Sequence, residues 1–69
     1  MSKVFLRKIG KNIKKFRLSK NMSQKDLGLK IGLSRGSVSM IETGRQNLPL
    51  TKFCNIALVF EINPKDLLK

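Results

Sequence analysis

Apolar residues recur at intervals of three and four along most of this chain, a spacing that is typical of amphipathic α-helices. The pattern predicts a first helix over residues 3–20. Its apolar face is formed by Phe5, Ile9, Ile13 and Phe16. No Asn-Gly or Asp-Gly turn joins alternating runs, so the pattern favours helices over strands.

Two short helices, separated by three residues, are predicted next. Ser23 occupies the position of a helix N-cap, because its hydroxyl can accept a hydrogen bond from an unpaired amide of the first turn. Asp26 supplies a weaker form of the acid that completes a capping box. The second helix is therefore expected to begin at about Gln24 and to end at Gly32, which can take a positive φ without a Cβ clash.

The third predicted helix follows Ser34, a second N-cap, and ends at Gly44. Val38 and Ile41 form its inward stripe. Its opposite side carries no second apolar face and consists of Arg35, Gly36, Ser39 and Met40, with Ser37 near the boundary. That side is free to enter a groove, and the segment from Ser23 to Gly44 has the pattern of a helix-turn-helix, which indicates DNA as the ligand.

Two further helices are predicted in the C-terminal third of the chain. Pro49 fits the first turn of a fourth helix, where a missing N–H is harmless, and this helix runs to about Phe60. Its inward stripe is Leu50, Phe53, Ile56, Ala57 and Phe60, and its solvent side is Lys52 and Asn55. Asn63, Pro64 and Asp66 match the N-cap, first and third positions of a short fifth helix.

Composition then narrows the class of protein. With 69 residues, 41% of them hydrophobic, the chain can form one small core, so residues 1–69 are predicted to be a single domain without a large binding pocket. Fifteen Lys and Arg against four Asp and Glu give a formal charge of +11, which favours a polyanionic partner such as nucleic acid. The alternative is that the lysines serve solubility, although such surfaces are usually mixed in sign.

Other chemistries lack the residues that they require. The chain has no His and one cysteine, Cys54, so we expect no disulfide within the chain, no metal site and no cofactor. Cys54 is interpreted as a small half-buried hydrophobe, with a redox sensor as the alternative. Without a Gly-rich phosphate loop, and with scattered carboxylates, the chain is not expected to be an enzyme. No stretch resembles a signal peptide or membrane span, which predicts a cytoplasmic protein.

Three stretches, in order, resemble the Cro/cI-type (XRE, lambda-repressor-like) helix-turn-helix family: IGKNIKKFRLSKNMSQKDL, IGLSRGSVSMIETGR and IALVFEINPKDLL. The resemblance implies a compact five-helix, all-α DNA-binding domain whose second and third helices form the helix-turn-helix, at about residues 23–44. It also implies a sequence-specific regulator of transcription, such as a restriction-modification controller protein, a small phage-type repressor or, less closely, an antitoxin.

The resemblance also implies individual roles. Base contacts are expected from Arg35, Gly36, Ser37, Ser39 and Met40. Phosphate contacts are expected from Gln24, which also props the recognition helix, and from Ser34, Arg45 and Asn47, to which the basic first helix adds Lys11. Arg17 and Glu42 match a structural ion pair between helices one and three. Arg35 is the strongest candidate for base contact, because a guanidinium can bond both N7 and O6 of guanine; Gly36 lacks the polar side chain that is usual there.

One short recognition helix covers few base pairs, so a homodimer on a near-palindromic operator is expected, with two such helices in successive major grooves. Its candidate interface residues are Leu58, Val59, Ile62, Leu67 and Leu68, which could instead complete a monomeric core. Two modes of action stay open: occlusion of a promoter, as a repressor or autoregulatory controller, and recruitment of RNA polymerase. A competing hypothesis, based on the basic first helix, is a cationic membrane-active or other non-catalytic interaction protein.

Overall fold

The computed structural model describes residues 2–69 and builds them from four α-helices and a 3-10 turn. They are α1 (Lys3–Ser19), α2 (Gln24–Ile31), α3 (Arg35–Glu42), α4 (Leu50–Phe60) and the 3-10 turn Pro64–Leu67. The predicted all-α class and the helix-turn-helix of α2 and α3 are confirmed. The predicted fifth α-helix is wrong in type, because its four residues bond in the tighter i to i+3 pattern.

Serine hydroxyls begin the first three helices. Each Oγ accepts a hydrogen bond from the backbone N–H three residues later, at 3.2, 2.9 and 3.1 Å for Ser2, Ser23 and Ser34 respectively. Asp26 accepts in return from the Ser23 N–H at 2.9 Å, which confirms the predicted capping box. Pro49 was expected inside the first turn of α4, but its ψ of 145° is extended, so it is the N-cap and the helix begins one residue later.

All four α-helices end in the same way. The residue that closes each helix has a left-handed backbone conformation, with φ of 56°, 72°, 73° and 58° at Asn21, Gly32, Gly44 and Glu61. The N–H of the next residue then bonds the carbonyl five positions earlier, at 2.9 to 3.1 Å, which forms a Schellman motif. The two glycines are the predicted stops. Asn21 and Glu61 were not predicted as stops: asparagine is the non-glycine residue that adopts this backbone most readily, whereas the residue type of Glu61 gives no signal.

The core lies where all four helices and the 3-10 turn meet. Its buried apolar residues are Ile9, Ile13, Leu27, Ile31, Val38, Ile41, Leu48, Phe53, Ile56, Ala57, Phe60 and Leu67. The rings of Phe16 and Phe60 stack at its edge, with centroids 6.2 Å apart.

Two residues predicted to face the core do not. Phe5 is 38% exposed, whereas its neighbour Leu6 is 7% exposed and takes the inward position. Leu50, at the first position of α4, is exposed as well. Both side chains lie at the mouth of an open apolar groove of about 340 Å³ between the ends of α1 and α4. The helical period was therefore correct, but at the helix ends the opposing layer that would bury these residues is missing.

The described residues measure 27 × 24 × 20 Å along their principal axes. Within residues 2–69, no helix combines the length and the apolar character needed to cross a membrane. The same residues hold no group of three or more His, Cys, Asp or Glu side chains that could bind a metal ion.

Gly10 is the point of closest approach between α1 and α3. A Cβ at this position would lie 2.3 Å from the carbonyl oxygen of Ile41 and 2.7 Å from that of Glu42. The missing side chain therefore lets the backbone of α1 rest on the last carbonyls of the recognition helix.

Replacement of Gly10 by alanine should destabilise the protein, because the added methyl would overlap backbone atoms of α3. We expect the free energy of unfolding to fall by about 1–3 kcal/mol, the usual cost of overpacking, in urea-induced unfolding followed by circular dichroism. The matched control is Gly36→Ala, where a Cβ would meet no atom nearer than Ser34 Oγ at 3.8 Å. An equal loss in both variants would rule out the close approach as the cause.

Candidate nucleic-acid interface

The outward side of α3 carries all the residues predicted to contact bases. Arg35, Gly36 and Met40 are exposed, and Ser37 and Ser39 are half-buried. Arg35 stands at the first position of the helix, while Met40 lies more than one turn further along. The structure thus brings the five residues together on one short helix, and their contact with bases stays a prediction.

The N-terminus of α3 suits a negatively charged group. Ser34 Oγ accepts from the Ser37 N–H, so its hydroxyl proton is still free to be donated. The first turn contains no acid, and the unpaired N–H groups of a helix N-terminus favour anions. A phosphate oxygen can therefore be accommodated beside the Arg35 guanidinium.

A buried ion pair holds α3 from behind. Arg17 Nε donates to Glu42 Oε2 at 2.7 Å, and Arg17 Nη2 donates to Glu42 Oε1 at 3.1 Å. The two residues are each 6% exposed. Arg17 Nη1 also donates to the carbonyl of Met22 at 2.7 Å, in the connection between α1 and α2. The geometry agrees with the predicted structural ion pair and extends it to this connection.

Gln24 joins the same network. Its Nε2 donates to Glu42 Oε1 at 3.0 Å, which links the first residue of α2 to the last residue of α3. The geometry agrees with the propping role that the family resemblance implies for Gln24. One N–H of the same amide is still available, so a phosphate contact by Gln24 stays a prediction.

Asp26 adds a negative charge to the start of α2. Its pKa is lowered, first because the backbone N–H of Ser23 donates to the carboxylate at 2.9 Å and then because of the nearby Ser23 side chain. The carboxylate is therefore ionised at neutral pH, where it stabilises the positive end of the helix.

Lys52 and Asn12 have structural roles that the sequence did not reveal. Lys52 was expected to face solvent, but it is half-buried and its Nζ donates to the carbonyl of Ile31 at 2.6 Å, which fixes the end of α2 to α4. Asn12 Nδ2 donates to the carbonyls of Leu67 and Lys69 at 2.9 and 3.0 Å, which fixes the C-terminal segment to α1. These partners are 21 to 57 residues away in sequence, so no local pattern could have indicated them.

The remaining predicted phosphate contacts are all exposed. Arg45 and Asn47 lie in the connection between α3 and α4, and Lys11 lies near the middle of α1. The backbone N–H of Arg45 closes α3 by bonding the Met40 carbonyl, so the position of its backbone is tied to the end of the recognition helix.

The residues predicted for a dimer interface differ in their burial. Leu58 is 74% exposed, and Leu68 is also exposed. Val59 and Ile62 are partly buried and pack against the core. Leu67 is fully buried in that core, so its assignment to an interface is wrong: the 3-10 turn directs it inward. Cys54, expected to be half-buried, is exposed.

Comparison with known proteins assigns the family. The model of the helix-turn-helix family HTH_3 matches residues 13–67, which is most of the chain. The chain belongs to this family. A relative, the control protein C.BamHI of Bacillus amyloliquefaciens, is 40% identical over 60 residues, which cover 86% of this chain and 74% of that protein.

Solved structures of this helix-turn-helix type superimpose closely. The restriction-modification controller protein C.AhdI of Aeromonas hydrophila gives a TM-score of 0.88 at 31% identity, over 94% of each chain. The controller C.Esp1396I, in a structure described as a nucleoprotein complex, gives a TM-score of 0.75 at 34% identity, over 94% of this chain and 95% of that one. The arrangement of α2 and α3 is therefore shared with solved restriction-modification controller proteins.

Loss of the charge on Glu42 should destabilise the fold strongly, because the Arg17 guanidinium would be left buried without its counter-charge. We expect Glu42→Gln to lower the free energy of unfolding by about 3 kcal/mol or more, measured by urea-induced unfolding. Asp66→Asn is the control, since Asp66 pairs at 3.1 Å with Lys69, whose side chain is largely exposed; it should cost about 1 kcal/mol at most. If Glu42→Gln also lowered the free energy of unfolding by about 1 kcal/mol at most, the buried Arg17–Glu42 pair would not be important for stability.

Proposed function

We propose that this chain is a sequence-specific, double-stranded DNA-binding regulator of transcription of the controller-protein type. The observation that carries the proposal is the exposed outer side of α3, which begins with Arg35 and is held from behind by the buried Arg17–Glu42 pair. The net charge of +11 and the likeness to a controller solved as a nucleoprotein complex support the same partner.

In this proposal α3 lies in the major groove and Arg35 bonds guanine as a bidentate donor. The other residues of that side, Gly36, Ser37, Ser39 and Met40, approach neighbouring bases, with Met40 packing on a thymine methyl. Phosphate contacts come from Gln24, Ser34, Arg45, Asn47 and Lys11, and they set affinity without reading sequence.

We further propose that two copies bind a near-palindromic operator as a homodimer. An α3 of eight residues is about 12 Å long, so a single copy covers few base pairs. Two copies with their recognition helices about 34 Å apart would read two half-sites on one side of the duplex. The candidate contact residues that the fold leaves accessible are Leu58, Val59, Ile62 and Leu68.

The proposed action is repression or autoregulatory control of a promoter, by occlusion or through contact with RNA polymerase, and without catalytic activity. Residues 1–69 act in this proposal as one DNA-binding domain, with the helix-turn-helix at about residues 23–44. Because such a regulator works on the bacterial or phage genome, the proposal places it in the cytoplasm.

Arg35→Ala should relax specificity, because it removes the proposed fork to guanine. With the operator first identified by selection of bound fragments from a random DNA pool, we expect a loss of about 1–3 kcal/mol of discrimination at one base step of each half-site, measured by fluorescence anisotropy. Lys11→Ala is the control and should weaken operator and random duplex alike. If Arg35→Ala lost equal affinity for the operator and for the random duplex, the proposed base contact would be contradicted.

A dimer should form on the operator, because one α3 cannot specify a long site. We expect analytical ultracentrifugation over a concentration series to show two copies per operator duplex, and Leu58→Glu to shift the equilibrium towards monomer while α-helical content is retained. A protein that stays monomeric with and without operator would refute the dimer. Leakage of liposomes without any preference among DNA sequences would instead support the membrane-active alternative.

A further inference from the structure

A second basic surface lies at the opposite end of α3 from Arg35. It is an open cleft of about 670 Å³ between the start of α1 and the connection that follows α3. Lys3, Leu6 and Arg7 line one side, and residues 43–47 line the other. We call it the α1 cleft.

The charges of the α1 cleft all have one sign. Lys3, Arg7 and Arg45 contribute three cations, and no acid lines the cleft. None of the three forms an ion pair with any residue from 2 to 69. Thr43, Gln46 and Asn47 add polar side chains between them. These three cations, two of them planar guanidiniums, fit an oxyanion with several acceptor oxygens.

The position of Arg7 is coupled to the end of the recognition helix. A Cβ on Gly44 would lie 2.6 Å from Arg7 Cγ and 2.9 Å from Arg7 Cα, so the backbone of α1 rests directly on the glycine that closes α3. Gly44 also has φ of 73°, which other residues adopt with strain. This packing fixes the backbone of Arg7 at the cleft that Arg45 also lines.

We propose that the α1 cleft binds a phosphodiester group of the operator backbone, with Arg7 and Lys3 acting together with Arg45. This inference rests on the proposed function and adds to it a contact from the start of α1. Because α3 is about 12 Å long, the phosphate in the cleft is separate from the one at the N-terminus of α3. A phosphate held at each end of α3 would fix the tilt of that helix in the groove.

The test compares Arg7→Gln with Lys8→Gln in the full chain. The two residues are adjacent, exposed and equally charged, but Lys8 does not line the cleft. Operator affinity is measured by fluorescence anisotropy across a series of salt concentrations. The slope of log K against log salt should become less steep by about 1.8 for Arg7→Gln, which corresponds to one phosphate contact in each of the two half-sites, and by much less for Lys8→Gln. Lys3→Gln should reduce the slope in the same direction as Arg7→Gln.

Ethylation interference locates the contact. One phosphate in each half-site should interfere with binding of the wild type and of Lys8→Gln, and no longer with Arg7→Gln. If the wild type prefers its operator but Arg7→Gln and Lys8→Gln have equal slopes and equal interference patterns, the cleft proposal is wrong and the proposed function stands. If the wild type shows no operator preference, the proposed function itself fails.

A free anion could satisfy the same donors, and a separate measurement distinguishes it. Inorganic phosphate is titrated into the labelled wild-type protein while the amide resonances of Gly44 and Arg45 are followed by NMR. The proposal predicts that operator DNA shifts these resonances at protein-equivalent concentration, whereas inorganic phosphate does so weakly. Strong shifts with inorganic phosphate, together with an unchanged salt slope for Arg7→Gln, would show a small-anion site and overturn the assignment to DNA.

Discussion

The buried guanidinium of Arg17 constrains the helix-turn-helix more than any other group. Removing a charge from water is costly unless it is paired and fully hydrogen-bonded, and Arg17 meets that requirement through Glu42 on α3 and the Met22 carbonyl between α1 and α2. Glu42 in turn accepts from Gln24 at the start of α2. Among the described residues, no buried side-chain nitrogen or oxygen lacks a partner. Three helices therefore have one arrangement in which this network is satisfied, and α3 is held rigidly by its inner side.

This arrangement separates the charges by function. The buried Arg17–Glu42 pair is neutral overall and fixes the position of α3 relative to α1. The excess of cations lies on the surface, where a polyanion can reach it. Surface cations are well solvated and contribute little to stability, so they are available for binding without weakening the core. Backbone contacts position the same surface: Gly10 lets α1 rest on the end of α3, and Gly44 lets Arg7 rest on the connection that follows it.

Local signals in the sequence were reliable where a single residue or a short spacing decides the structure. Ser23 with Asp26, Ser34, Gly32 and Gly44 were identified from residue type, because capping and positive φ depend on atoms within a few positions. Prediction failed where burial depends on a distant element. Phe5 and Leu50 share a helical period with core residues yet lie at an open groove, and Leu67 was placed at an interface although the 3-10 turn buries it. Lys52 was placed in solvent although the end of α2 lies within its reach.

The sequence by itself therefore determined the four α-helices, the caps of α2 and the start of α3, the outward residues of α3 and the basic character of the surface, since each depends on local spacing, caps or composition. The family resemblance added the pairing of Arg17 with Glu42. Only the tertiary structure decided that Lys52 fixes the end of α2, that Asn12 fixes the C-terminal segment, and that Lys3 and Arg7 join Arg45 around one cleft. The physical reason is that these contacts join residues far apart along the chain. The residues come within reach of each other only when the packed core fixes the helices relative to one another.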